Sequence, residues 1–182
     1  MKTTLKKYTA AERLGKMEVD LIDITVSVDP DNTGGDAEGD LFFKVTEIPN
    51  AVSVDGGSAI LQSCCAIIAG GDNDGADVDA FDVVVTADST QLLEASDSSE
   101  AESGDAMSGM ENALGTMDGT CGYFSVVNGF DAGVVAIANT NNIGMVCKAE
   151  QGSKSLYVYG VVQNDADYNQ GSMVLRLGFI KD

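Results

Sequence analysis

The chain contains no histidine and no tryptophan, and only 6% of its 182 residues are aromatic. Histidine is the commonest general base and metal ligand, so its absence excludes Ser/His/Asp and Cys/His catalysis within this chain. The low aromatic content also disfavours a glycosidase, because few rings are present to line a sugar-binding cleft. Neither a Walker-type nor a dinucleotide-binding glycine loop is present. We therefore predict that the protein is not an enzyme.

Positive charge is also scarce. Ten Lys and Arg residues stand against 29 Asp and Glu residues, which gives a net charge of −19. Such an excess disfavours binding to nucleic-acid phosphates or to an anionic membrane. The longest apolar tract, residues 64–69, is far below the ~20 residues of a membrane-spanning helix, and no apolar signal segment follows the basic N-terminus. We expect a soluble protein made in the cytosol.

The few basic residues are concentrated at the N-terminus. Residues 1–16 hold five basic side chains and one acidic side chain, whereas residues 17–182 hold five basic and 28 acidic side chains. One interpretation is a frayed terminus. The other is a basic arm that docks onto an acidic surface, either a neighbouring copy or a larger partner. The candidate partner-binding residues of this arm are Lys2, Lys6, Lys7, Arg13 and Lys16.

Alternation of apolar and polar residues dominates the rest of the chain and is typical of half-buried strands. Residues 88–120 are instead rich in Ser, Glu, Asp and Gly, and we predict a long polar excursion there with a helical turn near Met110–Leu114. The predicted strands are 20–29, 41–48, 58–69, 81–87, 122–127, 133–138, 143–149, 155–163 and 172–180. About nine short strands without amphipathic helices predict one all-β domain over residues 17–182, a β-sandwich or jelly-roll-like fold preceded by the basic arm.

The four cysteines do not form a metal or disulfide pattern. Cys64 and Cys65 are adjacent in a predicted strand, so their side chains point to opposite faces, and no CxxC pair is present. We interpret Cys64, Cys65, Cys121 and Cys147 as small apolar residues of a core or an interface.

Two acidic loops are candidates for calcium sites. The loop Asp29–Asp40 resembles an EF-hand in its oxygen spacing and in the glycine at its sixth position, Gly34. Its twelfth residue is Asp rather than Glu, however, and predicted strands flank it. The second loop, Asp72–Asp79, resembles one turn of a calcium-binding repeat. We favour surface turns for both loops and predict no cofactor, with Asp29–Asp40 as the remaining calcium candidate.

Three segments carry a resemblance to a known class of proteins. The first is residues 42–63, which read FFKVTEIPNAVSVDGGSAILQS, and the others are the C-terminal stretches Leu156–Val162 and Leu175–Asp182, with Tyr168 between them. These segments resemble virion-associated proteins from tailed phages of aquatic bacteria. The likeness covers about half of the chain and does not include residues 88–120.

This resemblance implies a capsid decoration or cement protein. Such a protein would sit on the capsid exterior, bind the major capsid protein at subunit junctions, form a homo-oligomer (a trimer) and be made in the host cytoplasm. Two alternatives stay open. One is a tail or head-fibre protein that binds host glycans through Tyr157, Tyr159 and Tyr168, although packing is the favoured role of these rings. The other is a calcium-stabilised surface adhesin domain.

Overall fold

Antiparallel β-strands make up every regular element of the computed structural model, which describes residues 18–28, 41–69, 80–87, 89, 120–126, 130–131, 135–163 and 171–181. The strands are β1 Glu18–Val28, β2 Leu41–Ile48, β3 Ser58–Ala69, β4 Phe81–Thr86, β5 Thr120–Val126, β6 Phe130–Asp131, β7 Val135–Lys148, β8 Leu156–Val162 and β9 Gly171–Lys181.

The period-two pattern of the sequence determines which side chains enter the core. In β1, Ile24 and Val26 are buried, while Asp23 and Thr25 are exposed, as the alternation predicts. In β8 both faces are covered, because six of its seven residues are buried and Tyr157 is partly buried.

The pairing of the eight longer strands is nested. The first strand pairs with the last (β1 with β9), and the pairs β2 with β8, β3 with β7 and β4 with β5 lie inside it, all antiparallel. The additional pairs β9 with β3 and β8 with β4 complete two layers, β1-β9-β3-β7 and β2-β8-β4-β5. This winding is that of a double-layered jelly roll, so the predicted fold class is confirmed.

In the described part of the chain, backbone pairing between the two layers is confined to one position of the continuous strand order. Val28 of β1 pairs with Phe43 of β2, and this is the one register position between these two strands. The layers face each other across one hydrophobic core. Its buried side chains come from both layers and include Val26, Leu61, Met173, Leu177, Phe81, Val83, Leu156 and Val158.

One strand was divided wrongly at the sequence level. The segments 133–138 and 143–149 were predicted as two strands, but residues 135–138 and 143–148 belong to the single 14-residue strand β7. Residues 142–144 resemble a turn because Asn142 and Gly144 have positive φ angles of 60° and 67°. They form a bulge opposite Leu61–Ser63, so the strand continues beyond them. The two-residue strand β6 was not predicted.

Several sequence-based predictions lie outside the described residues. They include the helical turn near Met110–Leu114 and most of the excursion 88–120. The last residue of that predicted excursion, Thr120, is already the first residue of β5.

Candidate interaction surface

The basic residues predicted to bind a partner, Lys2, Lys6, Lys7, Arg13 and Lys16, all lie outside the described residues. The same holds for the calcium candidate Asp29–Asp40 and for the second acidic loop, Asp72–Asp79. Within the ranges that the structure describes, no group of three or more Cys, Asp or Glu residues is placed to hold a metal ion. Those ranges also contain no helix with the length and hydropathy needed to cross a membrane.

The described residues instead present an apolar surface on the solvent side of layer β1-β9-β3-β7. We call this surface the outer face. Its apolar members alternate along each strand with residues of the core, and they are Val19, Leu21, Ile60, Ile67, Ile137, Val146, Val174 and Ile180. Three of the eight, Val19, Leu21 and Val146, are each more than 60% exposed.

One row of apolar side chains crosses all four strands of this layer. Val19 of β1 pairs with Ile180 of β9, which pairs in turn with Ile60 of β3. Ile60 then pairs with Val146 of β7. Side chains at directly paired positions lie about 4.5–5.5 Å apart at Cβ, so these four residues form a continuous apolar band.

A second row crosses the layer nearer the other end of the strands. Val174 of β9 pairs with Ile67 of β3, and Ile67 pairs with Ile137 of β7. On the β1 side the row ends in Thr25, the partner of Val174. Both rows therefore run perpendicular to the strands on one side of the layer.

Gly178 brings Leu21 and Ser63 together between the two rows. A Cβ atom at residue 178 would lie 3.5 Å from Leu21 Cδ2 and would collide with the Ser63 hydroxyl. Because Gly178 has no side chain, the side chains of Leu21 and Ser63 both lie close to its backbone.

The charges of the outer face are few and nearly balanced. Among its described positions, the charged residues are Asp23, Arg176 and Lys148. The Arg176 guanidinium donates two hydrogen bonds of 2.8 Å to the Asp23 carboxylate. These bonds lower the pKa of Asp23 and raise that of Arg176. Because the whole chain has a net charge of −19, this face is much less acidic than the average surface.

The side of layer β2-β8-β4-β5 that points away from the core differs from the outer face, because several of its apolar residues are buried. Val84, Tyr159 and Val161 point away from the core between the layers, yet each of them is fully buried. Burial raises the pKa of Tyr159. On the same side, buried Asp82 accepts hydrogen bonds from Ser125 Oγ (2.7 Å) and from Gln163 Nε2 (2.6 Å).

The tyrosines considered for glycan binding do not form an exposed cluster. Tyr159 is fully buried and Tyr157 is partly buried, while Tyr168 lies outside the described residues. A packing role for Tyr159 is therefore confirmed.

The outer face was missed at the sequence level, although one signal for it was available. In β1, Val19 and Leu21 alternate with the core residues Ile22 and Ile24. They therefore lie on the same face of the strand as the polar residue Asp23. Apolar residues on the polar side of an amphipathic strand indicate a second apolar surface.

No protein-family model matches the sequence, and no curated protein matches it. Among solved structures, the chain is similar to one of Desmodium yellow mottle tymovirus, with 14% identity over 99% of this chain and 93% of that chain and a TM-score of 0.28. It is also similar to a chain of tomato aspermy virus, with 9% identity over 98% and 82% of the two chains and a TM-score of 0.33. It is likewise similar to a chain of sacbrood virus of honeybee, with 12% identity over 90% of this chain and 83% of that chain and a TM-score of 0.32. The jelly-roll assignment rests on the strand pairing alone.

Proposed function

We propose that this protein is a non-enzymatic structural component of a virus particle. In its specific form, the proposal is a decoration or cement protein on the exterior of a tailed-phage capsid, with the major capsid protein as its partner and a homotrimer as its assembly. The observation that carries the proposal is the outer face, which is apolar and nearly uncharged in a chain of net charge −19.

The physical properties of the outer face suit docking. Removing exposed apolar surface from water contributes about 25 cal/mol per Å² to the free energy of association. Contiguous apolar patches commonly mark interaction sites. Close approach of a partner at this face does not bring many like charges together, because Asp23 is already paired with Arg176. The acidic remainder of the chain would stay in solvent and repel neighbouring particles.

The resemblance noted in the sequence coincides with strands of the jelly roll. Residues 42–63 cover most of β2 and the first half of β3, Leu156–Val162 is β8, and Leu175–Asp182 falls largely within β9. Two of these strands, β3 and β9, are the central strands of the layer that carries the outer face. A fold alone does not specify a function, so the resemblance supports the proposal through the segments that build this surface.

Shell stabilisation in this account is an avidity effect. Each copy covers a modest area across a junction between shell subunits, and trimerisation multiplies the contacts made by each assembly. Dissociation of one contact then leaves the others in place.

Co-sedimentation with purified shells stripped of this protein tests the proposal. Val146→Glu places a charge in the apolar row and is expected to abolish binding. Val54→Glu is the matched control, because Val54 is similarly exposed (61% against 66% for Val146) but lies in the turn between β2 and β3. Equal binding by both variants, or no binding by the wild-type protein, would contradict the proposal.

A further inference from the structure

A β-bulge in β5 places Cys121 at an unusual position. Val85 of β4 pairs with Gly122, but the next residue of β4, Thr86, pairs with Thr120. Cys121 is therefore the extra residue of the bulge. Bulges of this kind redirect a side chain relative to the regular alternation of the strand.

The bulge turns the Cys121 side chain toward the interior. Regular alternation would place Cys121 on the side of Tyr123 and Ser125, which point away from the core. Instead Cys121 is partly buried and packs against the core cluster. The next residue, Gly122, has a φ of 146°, a conformation that residues with side chains rarely adopt.

The interior position brings Cys121 against Cys147 of β7, in the opposite layer. The two side chains interact directly, and Cys147 is fully buried. This interaction lowers the pKa of Cys121, and together with burial it raises the pKa of Cys147. The Cys147 sulfur also lies 3.8 Å from the Met145 carbonyl oxygen.

The two layers are close together around this thiol pair. A Cβ atom built at Gly122 would lie 3.2 Å from Met145 Cε of β7. Near the end of β5, the carbonyl oxygen of Ser125 accepts a 2.7 Å hydrogen bond from Thr140 Oγ1 of β7. Among the described strands, no backbone ladder joins β5 to β7. Side chains alone therefore hold this end of the sandwich together.

We infer that Cys121 and Cys147 are a redox-active pair that oxidises to an intramolecular disulfide and thereby links the two layers covalently. The other two cysteines are not placed for this reaction with each other, because Cys64 lies on the core side of β3 and Cys65 on the outer face.

A low-molecular-weight disulfide, such as oxidised glutathione, is the oxidant in this reaction. The Cys121 thiolate attacks one sulfur of the oxidant, which releases one equivalent of the small thiol and leaves a mixed disulfide on Cys121. Cys147 then loses its proton to solvent, its thiolate attacks the Cys121 sulfur, and the second equivalent leaves as a thiolate that takes up a proton. Two protein thiols are oxidised and one small disulfide is reduced to two thiols. Cys121 reacts first because it is the more accessible and the more acidic of the pair.

The inference does not rest on the proposed function and is tested on the purified full-length chain. The protein is incubated with oxidised glutathione or with a phosphine reductant and digested without reduction, and disulfide-linked peptides are identified by mass spectrometry. We expect a 121–147 cross-link, an intact mass lower by two hydrogens, and a rise in Tm of roughly 5–15 °C relative to the reduced protein.

Two variants make the result specific. Cys121→Ser changes a partly exposed residue, and it should eliminate both the cross-link and the rise in Tm without unfolding the protein. Cys65→Ser, on the outer face, should retain both. A glutathione adduct that persists on Cys121, a cross-link that involves Cys64 or Cys65, or free thiols at both 121 and 147 after oxidation would overturn the inference.

Discussion

The ring of Phe43 lies against the backbone of Gly160, its cross-strand partner in the layer β2-β8-β4-β5. A side chain at residue 160 would collide with this ring. The ring is held in place by Phe81, whose centroid is 6.4 Å from that of Phe43 at an interplanar angle of 79°. An aromatic ring that covers a glycine on the neighbouring strand compensates for the missing side chain.

Replacing this glycine should therefore destabilise the fold. Gly160→Ala forces a methyl group into a packed aromatic cluster, and we expect the free energy of unfolding to fall by about 1–3 kcal/mol. Urea denaturation followed by circular dichroism measures this change. Gly178→Ala is the control, because the Ser63 hydroxyl that it meets belongs to a partly exposed side chain that can rotate. A smaller loss for Gly160→Ala in a Phe43→Leu background would confirm the contact, and equal losses in both backgrounds would contradict it.

The buried hydroxyl of Tyr159 supplies a second prediction. Within the described part of the chain this oxygen has no hydrogen-bond partner, so Tyr159→Phe removes an unsatisfied polar group. We expect the free energy of unfolding at neutral pH to stay the same or to rise by about 1 kcal/mol. Tyr123→Phe, at an exposed ring, is the matched control and should stay within about 0.5 kcal/mol of the wild type.

The same tyrosine should make stability depend on alkaline pH. Burial raises the pKa of Tyr159 above its ordinary value of 10.0, so above pH 10 the unfolded chain releases the phenolic proton and the folded chain retains it. The unfolded state then binds fewer protons, and stability decreases as the pH rises. Urea titrations between pH 8 and pH 11, about one unit or more on each side of the ordinary tyrosine pKa, measure the free energy of unfolding. This free energy should fall more steeply with pH for the wild type than for Tyr159→Phe. Parallel profiles would contradict this assignment.

The hydrogen bonds of Asp82 should contribute measurably to stability. Its Oδ1 atom accepts from Ser125 of β5 and from Gln163, the residue that follows β8, so one carboxylate connects three strands. Asp82→Ala leaves both donors without this acceptor and should lower the free energy of unfolding by about 1–3 kcal/mol. In the control Thr46→Val, a solvent-accessible bond to the Lys44 carbonyl is lost, and the change should be within about 0.5 kcal/mol. If Asp82→Ala lowers the free energy of unfolding by no more than the control does, the prediction that Asp82 stabilises the fold is wrong.

The basic arm stays a prediction, and deletion tests it. Removing residues 1–16 leaves every strand in the described part of the chain complete, so the truncated protein should fold with an unchanged circular dichroism spectrum and fail to attach to shells. Attachment at wild-type affinity would rule the arm out and leave the outer face as the docking element.

Sequence periodicity was sufficient for most strands and for the jelly-roll class, because segments such as β1 alternate apolar residues that become buried with polar residues that stay exposed. It failed where long-range pairing determines the geometry. The bulge at Cys121 depends on the register between β4 and β5, and the continuity of β7 through Asn142 depends on its pairing with β3. The outer face required a pairing map as well, since its rows join residues that are up to 161 positions apart, as Val19 and Ile180 are.

The copy number of this protein in purified particles tests the central claim most directly. Quantitative mass spectrometry of washed virions gives its ratio to the most abundant shell protein. A decoration or cement protein that docks at repeated subunit junctions should be present in a fixed, near-stoichiometric ratio to that protein. A handful of copies per particle would indicate a tail or fibre component instead, and absence from the particle would contradict the account.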